Sequence, residues 1–222
     1  TKATRSGTSY RLEGRKCLVP WLDGGEHVVV IAASDDGPQP FVVERAAAGL
    51  SATPEHNMGL QALPTVELTL DGVVIDDSAA LASDGGRNAR LALARGRVAL
   101  AAMAVGVARA SFEAARDYAK VREAFGGPIA TKQAIAFKLA DMAIEIDGAR
   151  LLVWEAAWRL DRGLDAEREV VLAHRQAKRV ALEVSDGAVQ VFGGHGYTRE
   201  YLPEMHLRNA RGFSCFEALS LV

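Results

Sequence analysis

Glu217 lies in Cys215-Phe216-Glu217-Ala218-Leu219, a carboxylate set among apolar side chains. Partial desolvation there would disfavour the charged form and raise the pKa toward neutrality, which is how a general base is poised. The same residues also fit a surface glutamate in a C-terminal helix or turn. Two further segments carry chemistry-bearing residues at defined spacing. In Arg122-Glu123-Ala124-Phe125-Gly126 the arginine follows a helical pattern, where a cation interacts favourably with the helix dipole. In Val189-Gln190-Val191-Phe192-Gly193-Gly194-His195-Gly196-Tyr197 the paired glycines stop a helix. His195 reads as a polar loop residue and not as a catalytic one. Cys17 and Cys215 stand in different segments without a Cys-x-x-Cys or His/Cys cluster, so neither a disulfide framework nor a metal site is expected.

The elements that must position these residues change character along the chain. Over the first third, apolar stretches such as Val28-Val29-Val30-Ile31 and Val66-Glu67-Leu68-Thr69-Leu70 alternate with turn formers. Ser6-Gly7, Asp23-Gly24-Gly25, Asp36-Gly37-Pro38 and Asp71-Gly72 recur at the spacing of an all-β barrel or sandwich. From about Asn88 an alanine-rich helical period takes over. One helix runs to about Ala124 and stops at Gly126-Gly127-Pro128. In the next, Ile135, Leu139, Met142, Ile146, Ala149, Val153, Ala156 and Leu160 fall on one stripe. A third, from about Ala166 to Val191, turns Val170, His174, Ala177, Ala181, Val184, Ala188 and Val191 inward. The expected fold class is α+β, with a β-domain over 1–86, incomplete at its start, and an antiparallel four-helix-bundle-type domain over 87–222.

The 222 residues are 49% hydrophobic and 24% charged, with a formal net charge of -2. That balance argues against a nucleic-acid binder that neutralises phosphates along its length, so anionic ligands must be held locally. No uninterrupted apolar run reaches the roughly 18 residues of a membrane span. A cytoplasmic setting is expected. The opening Lys2-Ala3-Thr4-Arg5 reads as a strand already inside a domain. Residues before Thr1, and some after Val222, are therefore expected to be missing.

Through Arg122 to Gly126, Val189 to Tyr197 and Cys215 to Leu219, the chain resembles the middle and C-terminal domains of the acyl-CoA dehydrogenase family, which implies that an upstream all-α domain is absent from this sequence. The resemblance implies that Glu217 removes the α-proton of an acyl-CoA thioester while the β-hydrogen leaves as hydride to flavin N5. Phe216 and Arg97 would line the substrate side, although the polar residue expected one turn before Arg97 is Ala94, and an exposed-helix reading of Arg97 stands beside it. Arg122, Phe125, Gln133, Gln190, Gly193 and Gly194 would hold the adenosine and pyrophosphate end of FAD belonging to a neighbouring subunit. Guanidinium pairs with phosphate oxygens in a two-pronged geometry, and glycine lets backbone approach a nucleotide closely. Electron-transfer flavoprotein would take the electrons onward.

The sequence departs from the family where a subunit meets its own flavin ring. A Trp and a Thr that the family carries in the strand after a Gly-Lys-Lys-like turn are Leu18 and Pro20 here, and Leu219 stands where a Thr usually follows the glutamate. Leucine cannot stack as Trp does, and proline supplies no N–H. The asymmetry predicts a homo- or hetero-tetramer, with the heteromer favoured, in which this chain completes a partner's FAD site. A catalytically silent subunit is the alternative to an enzymatic one. The Ala-, Arg- and Gly-rich composition is compatible with a high-GC bacterium, where heteromeric members act on steroid-derived acyl-CoA esters.

Overall fold

A computed structural model describes residues 1–81 and 86–216. The chain divides into two compact units, one built from Thr1–Asn57 and Gln61–Gly96, the other from Met58–Leu60 and the described residues from Arg97 onward.

The first unit is a six-stranded sheet of β1 (Lys2–Ser6), β2 (Ser9–Pro20), β3 (His27–Ser34), β4 (Gly37–Glu44), β5 (Leu50–Glu55) and β6 (Thr65–Asp76). The order is β4-β3-β1-β2-β6-β5, antiparallel throughout except for the β1–β3 pair. Strand periodicity places Val28, Val30 and Ala32 of β3 on the buried face, together with Leu12, Phe41 and Val43. Tyr10 packs on Phe41 with ring centroids 5.0 Å apart. Removing a fully buried ring such as that of Phe41 costs about 3–5 kcal/mol, so Phe41→Ala is the change that would most damage this core.

Two expectations for this unit are corrected. Asp71-Gly72 is not a turn but a bulge inside β6, where Gly72 takes φ 64° and the register to β2 shifts between Leu12 and Gly14. The extra residue changes the inward parity of β6 from Val66, Leu68 and Leu70 to Val73 and Ile75, keeping one apolar face across the whole strand. Nor do the described strands close into a barrel or stack as a sandwich: they form one open sheet ending at β4 and β5. Pro38 and Pro40 in β4 and Pro54 in β5 lack the N–H that further pairing needs, which suits both strands to edges.

The second unit is helical. Its described helices are α1 (Arg87–Val121), whose first turns belong to the first unit, α2 (Gln133–Asp161), α3 (Glu167–Phe192) and α4 (Pro203–Phe213). On α2, Met142, Ile146, Ala149, Val153 and Ala156 are buried, and on α3 all seven residues from Val170 to Val191 expected to face inward are buried. Small residues bring α1 and α3 close, Ala115 and Ala119 packing with Ala188, Val191 and Phe192. Within this contact Ser111 donates to the Val107 carbonyl at 2.9 Å, which leaves Ser185 to donate to Ser111 Oγ at 2.9 Å, so two buried hydroxyls satisfy each other. By length and composition alone α1 is apolar enough to cross a membrane, contrary to expectation, yet Ala101, Ala104, Ala108, Ala115 and Ala119 are fully buried in the protein itself.

The fourth helix, α4, starts on Pro203, whose fixed φ suits a first helical position. It is strapped by Met58–Leu60: Arg208 donates to the Met58 carbonyl at 3.1 Å and Leu60 N–H to Asn209 Oδ1 at 2.8 Å.

Candidate functional site

The helical unit contains a cleft of about 350 Å³ built from three stretches of chain. α1 contributes Tyr118, and Arg122 follows directly after its last residue, its N–H still bonded to the Tyr118 carbonyl at 2.9 Å, which keeps the two a helical turn apart on one face. The end of α3 contributes Val191 and Phe192, and the turn beyond it Gly193, Gly194 and His195. Ile129 closes the remaining side. Arg122 is the one permanent cation among these described lining residues, and none of them is acidic.

The floor is rigid because its aromatic rings lock one another. Tyr118 stacks on Phe192 with centroids 4.0 Å apart at 14° and meets Tyr201 edge-on at 6.1 Å. Its hydroxyl lies 2.9 Å from His195 Nδ1. Such ring pairs contribute about 0.5–1.5 kcal/mol each beyond area burial.

α3 stops at Gly193, which takes φ 60° and ψ -132°, a conformation that side chains other than glycine avoid, and whose N–H closes onto the Val189 and Gln190 carbonyls. A Cβ at Gly193 or Gly194 would meet no atom within 4 Å. At Gly194 neither φ nor the chain's own packing demands glycine, which leaves open space beside Arg122 for a ligand backbone or phosphate.

α1 ends three residues earlier than its alanine pattern suggests, because the chain turns into a tight hairpin. Ile129 N–H bonds to the Arg122 carbonyl at 2.9 Å and Ala124 N–H to the Gly127 carbonyl at 3.0 Å. The two residues at its tip, Phe125 (φ 53°) and Gly126 (φ 83°), are both left-handed. That pairing is ordinary for glycine and strained for phenylalanine. Phe125 is nevertheless 93% exposed, and Lys132 Nζ donates to its carbonyl at 2.8 Å, tying the tip to the start of α2. The hairpin thus displays an aromatic ring to solvent at a backbone cost.

The residues expected to hold cofactor are thereby sorted. Arg122, Gly193 and Gly194 converge on one cleft. Phe125 stands at the tip of the hairpin whose base is Arg122. Gln133, the first residue of α2, and Gln190, in the last turn of α3, are exposed and do not line the cleft. Arg97 is partly buried on α1, roughly 37 Å from Arg122 along the helix axis at 1.5 Å per residue, so the two do not share a site. Phe216 is buried just beyond α4, whereas Glu217 and Leu219 lie outside the described residues. Sequence reasoning passed over Tyr118 and set His195 aside. The i, i+4 relation of Tyr118 to Arg122 was the available signal.

The Leu18–Pro20 segment of the sheet unit is built differently. Leu18 takes φ 55° at a register shift between Lys16 and Val19, and its N–H bonds to a Glu55 carboxylate oxygen at 2.9 Å. Pro20 is buried opposite Thr65. Burial also lowers the pKa of Lys16 beside this bulge. The only donor that the Leu18 and Pro20 backbone could offer a ligand is committed internally.

Residues 83–217 match the model of the acyl-CoA dehydrogenase C-terminal domain, and the chain belongs to that family. It is 35% identical over 230 residues to a 3-(aryl)acrylate reductase of Clostridium sporogenes, covering 100% of this chain and 61% of that protein. It is also 35% identical over 230 residues to the caffeyl-CoA reductase-Etf complex subunit CarC of Acetobacterium woodii, again covering 100% of the chain and 61% of the relative. Among solved structures, a glutaryl-CoA dehydrogenase from Mycobacterium smegmatis in complex with FADH2 superimposes with a TM-score of 0.87 at 30% identity, over 98% of this chain and 57% of that one. The chain thus spans about three fifths of the length of the relatives it matches.

Proposed function

We propose that this chain is a subunit of an FAD-dependent acyl-CoA dehydrogenase that removes the α- and β-hydrogens of an acyl-CoA thioester. The observation that carries this reading is the convergence of Arg122 with Gly193 and Gly194 on one cleft, beside an outward-displayed Phe125. A guanidinium, an open glycine backbone and an aromatic face are the groups a dinucleotide pyrophosphate and its adenosine end require. When bound, FAD supplies the acceptor for the two electrons that leave with the β-hydrogen. Arg122 would hold the pyrophosphate, and Phe125, Gln133 and Gln190, all exposed on this chain, would meet a cofactor carried by a neighbouring subunit. Glu217 would take the α-proton onto its carboxylate, its basicity raised by the apolar residues around it in sequence.

The Leu18–Pro20 segment favours a hetero-oligomer. With the Leu18 N–H committed to Glu55, and leucine and a buried proline where a stacking ring and a hydroxyl are expected, it lacks the groups expected to meet a flavin ring. The chain would then complete a partner's FAD site, and electrons would pass to an electron-transfer flavoprotein, as the Etf-complexed relative suggests. A catalytically silent role in the same assembly is the second reading, favoured by the same segment. Glu217→Gln in the native assembly separates the two: a fall in turnover of about a hundredfold or more, the usual contribution of a general base, assigns the chemistry to this chain. Unchanged turnover assigns it to the partner.

A further inference from the structure

His195 lines the Arg122 cleft, and its one side-chain hydrogen bond among the described residues runs from Nδ1 to Tyr118 Oη at 2.9 Å. We infer that His195 presents an Nε2–H donor to an anionic group of the cofactor held in this cleft, with Tyr118 as the residue that positions the ring. This rests on the reading of the cleft as an FAD site.

The ring is held on several sides. Tyr201 packs on it at 5.2 Å and Tyr118 meets it edge-on at 6.2 Å. Its backbone is fixed as well, since Thr198 donates to the His195 carbonyl from N at 3.3 Å and from Oγ1 at 3.1 Å. Tyr118 in turn cannot swing away, being stacked on Phe192. These contacts leave the imidazole a fixed position at the edge of the cleft.

The Tyr118 contact also restricts what the second nitrogen can do. If Tyr118 donates to Nδ1, the neutral ring carries its proton on Nε2. If the ring is protonated, Nδ1 donates to Tyr118 Oη and Nε2 again carries a proton. Only the neutral ring protonated on Nδ1 leaves Nε2 without one, and a phosphate beside it would repel that lone pair. Two of three arrangements therefore offer a donor, and they are the two an anion selects. Arg122 supplies a flexible two-pronged cation to the cleft, while His195 adds a short donor in a fixed place.

The test measures FAD and ADP affinity of the native full-length protein, in whatever assembly it forms, by calorimetry, with the tautomer of His195 read from its 15N shifts. His195→Ala is expected to weaken both ligands about tenfold or more, the worth of one hydrogen bond to a charged group. His195→Gln, whose amide can place an N–H near the position of Nε2, is expected to recover most of that loss. Tyr118→Phe keeps the stacked ring, and is expected to weaken binding about threefold while reducing the share of ring protonated on Nε2. Arg122→Ala is the control. If it weakens FAD and His195→Ala does not, or if His195→Gln recovers nothing, the donor role is overturned and the cleft stands. If Arg122→Ala leaves affinity intact, the cleft reading falls and the inference with it.

Discussion

Phe125 and Leu18 share a backbone conformation that residues other than glycine rarely adopt, with φ of 53° and 55°, yet their surroundings are opposite. Leu18 is half-buried at a bulge and its N–H is bonded to Glu55 within the sheet unit. Leu60, the third such residue among those described, is settled in the same way, its N–H bonded to Asn209. Phe125 differs from both: its hairpin fixes it by backbone bonds and by Lys132, and its ring is left in solvent. Backbone strain of this kind costs on the order of 1–3 kcal/mol and persists where surrounding structure enforces it. At Leu18 the strain is absorbed into internal hydrogen bonding. At Phe125 the strain leaves the ring in solvent among the described residues, as the proposed contact with a neighbouring subunit's cofactor requires.

The contrast breaks most readily at Arg122. If the cleft is the gripping region, Arg122→Ala in the native assembly should weaken FAD by about ten- to hundredfold, measured by equilibrium dialysis, while the thermal midpoint changes little because the side chain is exposed. Loss of stability with no loss of FAD would return Arg122 to a helix-end cation.

A smaller effect is expected at Phe125, where two substitutions separate contact from conformation. Phe125→Ala removes the ring and keeps a side chain in the left-handed region, so FAD should weaken about three- to tenfold. Phe125→Gly removes the ring and relieves the strain, so the same loss of FAD should come with a stability gain of about 0.5–1 kcal/mol in chemical denaturation. A stability loss with glycine would mean that the ring is packed after all.

How far this contrast was visible in sequence differs between the two units. Inward faces of α2 and α3 followed from spacing alone, because a helix writes its buried stripe locally: Met142, Ile146 and Ala149 needed no long-range information. The open sheet did not, since whether β4 and β5 join across a barrel is decided by pairing between residues far apart, and the turn signals are the same either way. Asp71-Gly72 misled for a related reason. A left-handed glycine serves a bulge as readily as a turn, and only the partner register of β2 distinguishes them. Within the site, Arg122 and the Gly193-Gly194 pair were named separately, and their meeting in one cleft required the packing of α1 on α3. The pairing of Tyr118 with His195 was not legible, because an aromatic in a helix and a histidine in a loop carry no local mark of a hydrogen bond between them.

The smallest effect on cofactor is expected at Glu55. Glu55→Gln replaces a charged acceptor of the Leu18 N–H by a neutral one and should destabilise the sheet unit by about 1 kcal/mol, with FAD affinity changed less than twofold. A large loss of FAD would make the Leu18 bulge part of a flavin site and erase the difference between the two regions.

The most direct measurement is the FAD content of the purified full-length protein, alone and with the partner subunit it assembles with, from the flavin absorbance per chain. The predicted result is a nearly colourless protein alone and a yellow hetero-oligomer holding fewer FAD than chains, whose flavin is lost when Arg122 of this chain is replaced. A bright yellow homo-oligomer with one FAD per chain would contradict it.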